Sequence, residues 1–204
     1  MKVLLFDFDG TICDSYLAAV EIFNNLAGEY KYKKLDEAEC MQVRDLTAQE
    51  FLQFMKISII KVPFIARRAK KELQSKVDSL RPFLGIKETI LQLHENGYKL
   101  GILTSNSEKN IKHFFKKNNL EIFDFIYSDS GLFGKGKVLK KLLKRHQIDP
   151  TQVAYVGDET RDIEAARAAG IKIIAVTWGY NSKALLEKHH PNFLIEYPRQ
   201  LLEL

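Results

Sequence analysis

Cysteine is scarce in this chain: 204 residues carry two, Cys13 and Cys40. They stand in no metal-ligand spacing, so both thiols are expected to be reduced and neither points to a metal site. Long apolar runs are missing as well. No stretch approaches the roughly 20 apolar residues that a membrane-spanning helix requires. At the N-terminus a single Lys precedes four apolar residues before the acids begin, unlike a secretory leader. These absences lead to the expectation of a cytoplasmic protein with no membrane partner. There is no internal repeat and no low-complexity tract, which argues against a solenoid or a disordered segment.

What is present is a globular composition, 46% hydrophobic and 28% charged. The length suits one domain, or a core with a modest insertion. Lys and Arg exceed Asp and Glu, 31 to 26, for a net charge of +5. The excess lies on amphipathic patterns. Lys109, Lys112, Lys116 and Lys117 flank Ile111, Phe114 and Phe115, and Lys137, Lys140, Lys141, Lys144 and Arg145 interleave with Val138, Leu139, Leu142 and Leu143. Basic helix faces of this kind predict no nucleic-acid partner, but they attract anionic substrates such as phosphate esters.

The opening block Val3-Leu4-Leu5-Phe6-Asp7-Phe8-Asp9-Gly10-Thr11 carries the most information. Four apolar residues read as a strand buried on both faces. Two carboxylates two positions apart then fall at its carboxyl end, on one face if strand geometry persists that far. That edge is where open α/β sheets bind ligands.

A helical region follows over 15–80. Ser15 is placed to cap the first helix, Thr47 and Glu50 have capping-box spacing, and Pro63 suits a first helical turn. From Arg81 strands and helices alternate: helix 85–96, strand 98–105, helix 107–118 capped by Ser107, strand 123–127, helix 137–146, strand 153–156, helix 162–169, strand 171–177, helix 182–189 and strand 193–195. The alternation predicts a mostly parallel sheet with right-handed crossovers.

Three further strand ends carry polar groups: Thr104-Ser105-Asn106, then Gly134-Lys135-Gly136-Lys137, then Gly157-Asp158-Glu159-Thr160-Arg161-Asp162. Taken singly these are a cap, a solvated lysine and acids at a helix N-terminus. In this order, with Asp7 and Asp9, they resemble the four motifs of the haloacid dehalogenase-like superfamily, and the resemblance spans essentially the whole chain. It implies an α/β, Rossmann-like parallel-sheet core over 1–14 and 81–204, with a helical cap domain over 15–80 inserted after the first strand. Asp9-Gly10-Thr11-Ile12-Cys13-Asp14-Ser15 and Thr177-Trp178-Gly179-Tyr180 look like the phosphoglycolate-phosphatase-like branch.

The resemblance also implies roles. Asp7 corresponds to the nucleophile that forms an aspartyl-phosphate, and Asp9 to the general acid/base. Asp7, Asp158, Asp162 and the backbone carbonyl of Asp9 correspond to a Mg2+ site, with Asp158 ligating directly and Asp162 acting through water or by orienting the lysine. Thr104, Ser105, Asn106 and Lys135 correspond to the phosphate cradle, in which Thr104 and Lys135 are catalytic: the Thr104 hydroxyl bonds a phosphoryl oxygen, and Lys135 stabilises the nucleophile and the developing phosphoryl charge. Lys137 rivals Lys135, which is favoured because it follows Phe133-Gly134 ahead of the helix. Lys-Gly stands where the family often has Lys-Pro. Asp14-Ser15 is a hinge or a simple cap, and Trp178 and Tyr180 are motif or rim aromatics. Arg44, Arg67 and Arg68 are candidates to grip an anionic tail, or solvated helix residues.

The implied activity is a Mg2+-dependent phosphatase acting on a small phosphorylated metabolite, as a monomer or homodimer. Haloacid dehalogenases themselves lack an acid two positions after the nucleophile, so Asp9 favours phosphate chemistry. The alternatives are a phosphomutase of the β-phosphoglucomutase type and a non-catalytic phospho-acceptor module. The insert and the Asp7/Asp9 spacing stand against the second.

Overall fold

A computed structural model describes residues 2–128 and 134–204. Phe133, one of the residues used to favour Lys135, lies outside the described residues. Strand β1 (Val3–Phe6) is followed by a two-residue strand β2 (Cys13–Asp14) and the helices α1 (Tyr16–Tyr30), α2 (Glu37–Gln42), α3 (Ala48–Phe54) and α4 (Val62–Lys76). The chain then runs through β3 (Arg81–Pro82), α5 (Ile86–Glu95), β4 (Lys99–Thr104), α6 (Glu108–Asn118), β5 (Phe125–Ser128), α7 (Lys135–Arg145), β6 (Val153–Gly157), α8 (Thr160–Ala169), β7 (Lys172–Val176), α9 (Lys183–Lys188) and β8 (Phe193–Ile195). No helix among the described residues is long and apolar enough to cross a membrane.

The main sheet has the order β5-β4-β1-β6-β7-β8, and every pairing is parallel. β1 sits at the centre, with Leu5 opposite Gly101 on one side and Tyr155 on the other. Its residues are buried on both faces, as a central parallel strand requires. The alternation sorts them. Leu4 and Phe6 join Ile86, Ile90, Phe114 and Phe115 on one face, whereas Val3 and Leu5 join Leu139, Leu142, Ile163 and Ala166 on the other. The connection after β1 leads towards β4 and the one after β6 leads towards β7, so the strand order reverses between β1 and β6. A crevice opens there at the carboxyl edge of the sheet.

The helical stretch has a core of its own, built from Ile22, Leu26, Leu35, Val43, Met55, Ile57, Val62 and Ile65. The antiparallel pair β2–β3, with Asp14 opposite Arg81, stands where the chain leaves the sheet region and returns to it. Thr47 and Glu50 form a capping box, Ser107 caps α6 and Pro63 lies in the first turn of α4.

Three expectations need correction. Strand geometry stops at Phe6. Phe8 starts a turn in which its carbonyl accepts from the amides of Ile12 and Cys13, so Asp7 and Asp9 enter different surroundings. Ser15 does not cap α1 with its side chain, because its hydroxyl is engaged with the Tyr180 hydroxyl at 3.1 Å. Helices α7 and α8 begin at Lys135 and Thr160, each two residues earlier than the sequence pattern suggests.

Candidate active site

The crevice gathers the acids. Asp7 follows β1, its amide still bonded to the Val156 carbonyl at 2.9 Å. Asp158 follows β6, and Asp162 lies in the first turn of α8. One carboxylate oxygen from each of Asp7, Asp158 and Asp162 lies within 4.8 Å of the others, and all three residues are buried. Lys135 Nζ donates to Asp7 Oδ2 at 2.7 Å and to Asp162 Oδ1 at 2.6 Å. Close packing of α7 on α8 brings it there. A Cβ on Gly136 would meet the Ala168 Cβ at 3.0 Å and the Ala165 carbonyl at 3.1 Å, so a larger residue would push the two helices apart. Lys137 is exposed.

Backbone amides and one hydroxyl hold the remaining oxygens. Asp7 Oδ1 accepts from the Phe8 amide at 2.7 Å, and Asp162 Oδ2 accepts from the amides of Asp158 and Glu159, each at 3.1 Å. Asp158 Oδ1 accepts from the Thr11 hydroxyl at 2.7 Å, and Oδ2 from the Tyr180 amide at 2.8 Å. Gly10, at φ +76°, passes so close that a Cβ would stand 2.1 Å from Asp158 Oδ2.

Burial drives the electrostatics. It lifts the Asp7 carboxyl from its ordinary range to about 7, against the opposing pull of Lys135. Asp158 is raised well above its ordinary value by burial and then by Glu159, Asp162 and Asp7. Burial pushes the Lys135 ammonium down, but Asp162 and Asp7 outweigh it and hold it above its usual value. Ionising all three buried carboxyls against one ammonium would leave excess negative charge. The all-oxygen donor set and this charge deficit fit a hard divalent cation such as Mg2+.

Asp9 lies apart from that cluster. Asn106 Nδ2 donates to its Oδ2 at 3.0 Å, while Oδ1 is buried with no hydrogen-bond partner among the described residues. Burial raises its carboxyl, partly offset by Asn106. Thr104, buried at the end of β4, accepts from the Asn106 amide at 3.0 Å, and the Asn106 Oδ1 accepts from Asn110 Nδ2 at 3.1 Å. Asp9, Ser105 and Asn106 line a cleft of about 990 Å³ beneath α4.

The candidate arginines separate. Arg44 Nε and Nη2 donate to the carbonyls of Tyr180 and Gly179 at 3.2 and 2.8 Å, while Ser182 N donates to the Arg44 carbonyl at 2.8 Å. Arg44 therefore ties the helical stretch to the loop that also contacts Asp158. Arg68 pairs with Glu72 and Glu29 at 2.8 and 3.6 Å, and Arg67 lines the cleft. Trp178 donates to the Thr11 carbonyl at 3.0 Å, and Tyr180 meets Tyr16 edge-on. Sequence reasoning assigned nothing to Thr11, Lys70, Arg161 or Asn181. Thr11 and Arg161 sit inside motifs already singled out, which was the available signal. Lys70 and Asn181 gave none, because their partners are distant in the chain.

The family model described as Haloacid dehalogenase-like hydrolase matches residues 4–176. Over its whole length the chain is 34% identical to a phosphoglycolate phosphatase of Synechococcus elongatus, covering 96% of that protein. It is 23% identical to the pyrophosphatase PpaX of Bacillus mycoides, with 100% of this chain and 96% of that protein covered. A solved haloacid dehalogenase-like family hydrolase from Streptococcus pneumoniae superposes with a TM-score of 0.81 at 24% identity, covering 100% of this chain and 97% of that one.

Proposed function

This chain belongs to the haloacid dehalogenase-like hydrolase family, and from that premise we propose that it is a phosphatase acting on a small phosphate monoester, with phosphoglycolate the first candidate. The observation that carries the reading is the Lys135 ammonium between Asp7 and Asp162 at the strand-order reversal, with Asp9 facing the cleft beside it.

In this reading Asp7 attacks phosphorus, forming a phosphoryl-aspartate as the ester oxygen departs. Asp9 donates its proton to that oxygen. It then takes a proton from the water that attacks the phosphoryl-aspartate, releasing phosphate and freeing Asp7. Different surroundings allow the two acids opposite roles. Burial lifts the Asp7 carboxyl, while Lys135 and the Phe8 amide, together with Mg2+ when bound, pull towards its ionised form. Burial keeps Asp9 protonated to higher pH, partly offset by Asn106 and Ser15. Thr104, Ser105, Asn106 and Lys135 would line the phosphoryl group. Asp7, Asp158 and Asp162, with the Asp9 carbonyl, would hold Mg2+, which when bound offsets the charge of the phosphoryl oxygens and of the acids.

The helical stretch 15–80 would act as a cap over 1–14 and 81–204, hinged at the β2–β3 pair and latched through Arg44. Excluding water beneath it would protect the phosphoryl-aspartate from untimely loss. Free Cys13 and Cys40 suit a reducing cytoplasm.

Phosphate release from 2-phosphoglycolate is expected with Mg2+ present, to stop on adding EDTA and to return with excess Mg2+. Activity indifferent to the chelator would remove the metal from this account. Melting curves give a second readout. Burial raises the Asp7 and Asp158 carboxyls, so in metal-free protein the stability contribution of Asp7 is lost as pH rises through about 7. A divalent ion binds the deprotonated form, so Mg2+ is expected to raise the melting temperature more at pH 8 than at pH 5. An equal shift at both pH values would contradict binding at these carboxylates.

A further inference from the structure

The cleft over Asp9 is strongly one-sided in charge. Three cations line it, Arg67 and Lys70 from α4 and Arg161 from the first turn of α8, and Asp9 is the lone carboxylate among its lining residues. Arg67 and Lys70 are three positions apart, hence on one side of the helix. Lys70 Nζ reaches the Ser105 carbonyl at 2.9 Å, so that side faces the sheet region. Arg68, one residue on, turns away to Glu29 and Glu72.

Arg161 alone of the three is rooted beside the acid cluster, one residue before Asp162. Its Nε donates to Glu159 Oε2 at 2.8 Å and its Nη2 donates to the same oxygen. That grip fixes the direction of the planar guanidinium and leaves Nη1 without an acceptor among the described residues. Its side chain is 32% exposed and borders both the cleft and an adjoining, mostly apolar cavity of about 300 Å³. Merely neutralising Glu159 would not require a place in the wall of both spaces. The phosphoryl group of a substrate at Asp7 is met by Lys135. Arg161 already shares Glu159, but Arg67 and Lys70 have no carboxylate partner among the described residues, so an anionic group on the rest of the substrate would supply the counter-charge that this side of the cleft lacks.

We propose that Arg161 is a specificity-determining residue. It presents Nη1 to a second anionic group, carboxylate or phosphate, on the leaving-group side of the substrate, with Arg67 and Lys70 facing the same group from α4. The assignment rests on the phosphatase reading above and adds to it the chemistry of the substrate's far end.

The test uses the full chain with Mg2+ and three substrates: 2-phosphoglycolate, inorganic pyrophosphate, and ethyl phosphate as the short ester with a neutral tail. In Arg161→Gln the ratio of kcat/KM for an anionic-tailed substrate over ethyl phosphate is expected to fall roughly thirtyfold, mainly through KM, the scale of a lost charge-assisted hydrogen bond. Arg161→Lys should recover part of the loss. A fall confined to 2-phosphoglycolate identifies the tail as a carboxylate, and one confined to pyrophosphate identifies a phosphate. Arg67→Gln, on an exposed helix position, should lower the same ratio by a smaller factor and keeps the test open should Arg161→Gln fail to fold. An unchanged ratio in the folded variants overturns the assignment. Phosphate release by the unmutated chain from none of the three substrates would overturn the phosphatase reading itself.

Discussion

Asp7→Asn is expected to abolish phosphate release, by at least roughly a thousandfold, while leaving the fold intact. The amide has the shape of the carboxylate but is a far poorer nucleophile, so no phosphoryl-enzyme should form. The fold should survive because burial already lifts the Asp7 carboxyl to about 7, which means that a neutral side chain is well tolerated there. Removing one of three crowded negative charges also relieves repulsion with Asp162 and Asp158. The metal-free variant should therefore melt no lower than the unmutated protein. Acid quenching during turnover, followed by mass measurement, should show a phosphoryl adduct in the unmutated chain and none in the variant. Full residual activity would end the nucleophile assignment.

Lys135→Ala is expected to damage both activity and stability, and Lys137→Ala neither. Lys135 makes two short ion-pair bonds to carboxylates with side-chain exposures of 10% and 1%, so little solvent screens them. Removing it leaves Asp7, Asp158 and Asp162 without that ammonium, a change that costs about 3–5 kcal/mol when a buried charge loses its partner. The same ammonium would stabilise charge on the transferring phosphoryl group, so activity should fall at least roughly a hundredfold. Lys137 is exposed, and its loss should stay within about 0.5 kcal/mol. Thermal melting and phosphate release on the two variants decide the matter, and a reversed order would transfer the role to Lys137.

Much of the sheet was legible in the chain because burial on both faces leaves a plain mark. Runs such as Val3–Phe6 and Val153–Gly157 can be little else when glycine, acids and helical periods bracket them. The apolar period places the start of α7 two residues late. Lys135-Gly136 offers no apolar period, and the close approach of α7 to α8 at Gly136 is a tertiary feature that no local pattern marks. Ser15 looked like a cap by residue type, but its hydroxyl found a partner 165 positions away. Arg44, Arg67 and Arg68 were equivalent as letters. Their neighbours differ: backbone carbonyls of the 179–180 loop, the cleft, and Glu29 with Glu72.

The amino-acid order by itself determined which residues end the buried strands. Hydrophobic period and the chemistry of Asp, Thr and Lys are local properties, readable one segment at a time. The tertiary structure decided which of those groups meet: Lys135 rather than Lys137 on Asp7, Asn106 on Asp9, Thr11 on Asp158, and Arg161 in the cleft wall. Those pairings join residues 128, 97 and 147 positions apart for the first three. Their distances depend on strand order and helix packing, to which no local pattern is sensitive.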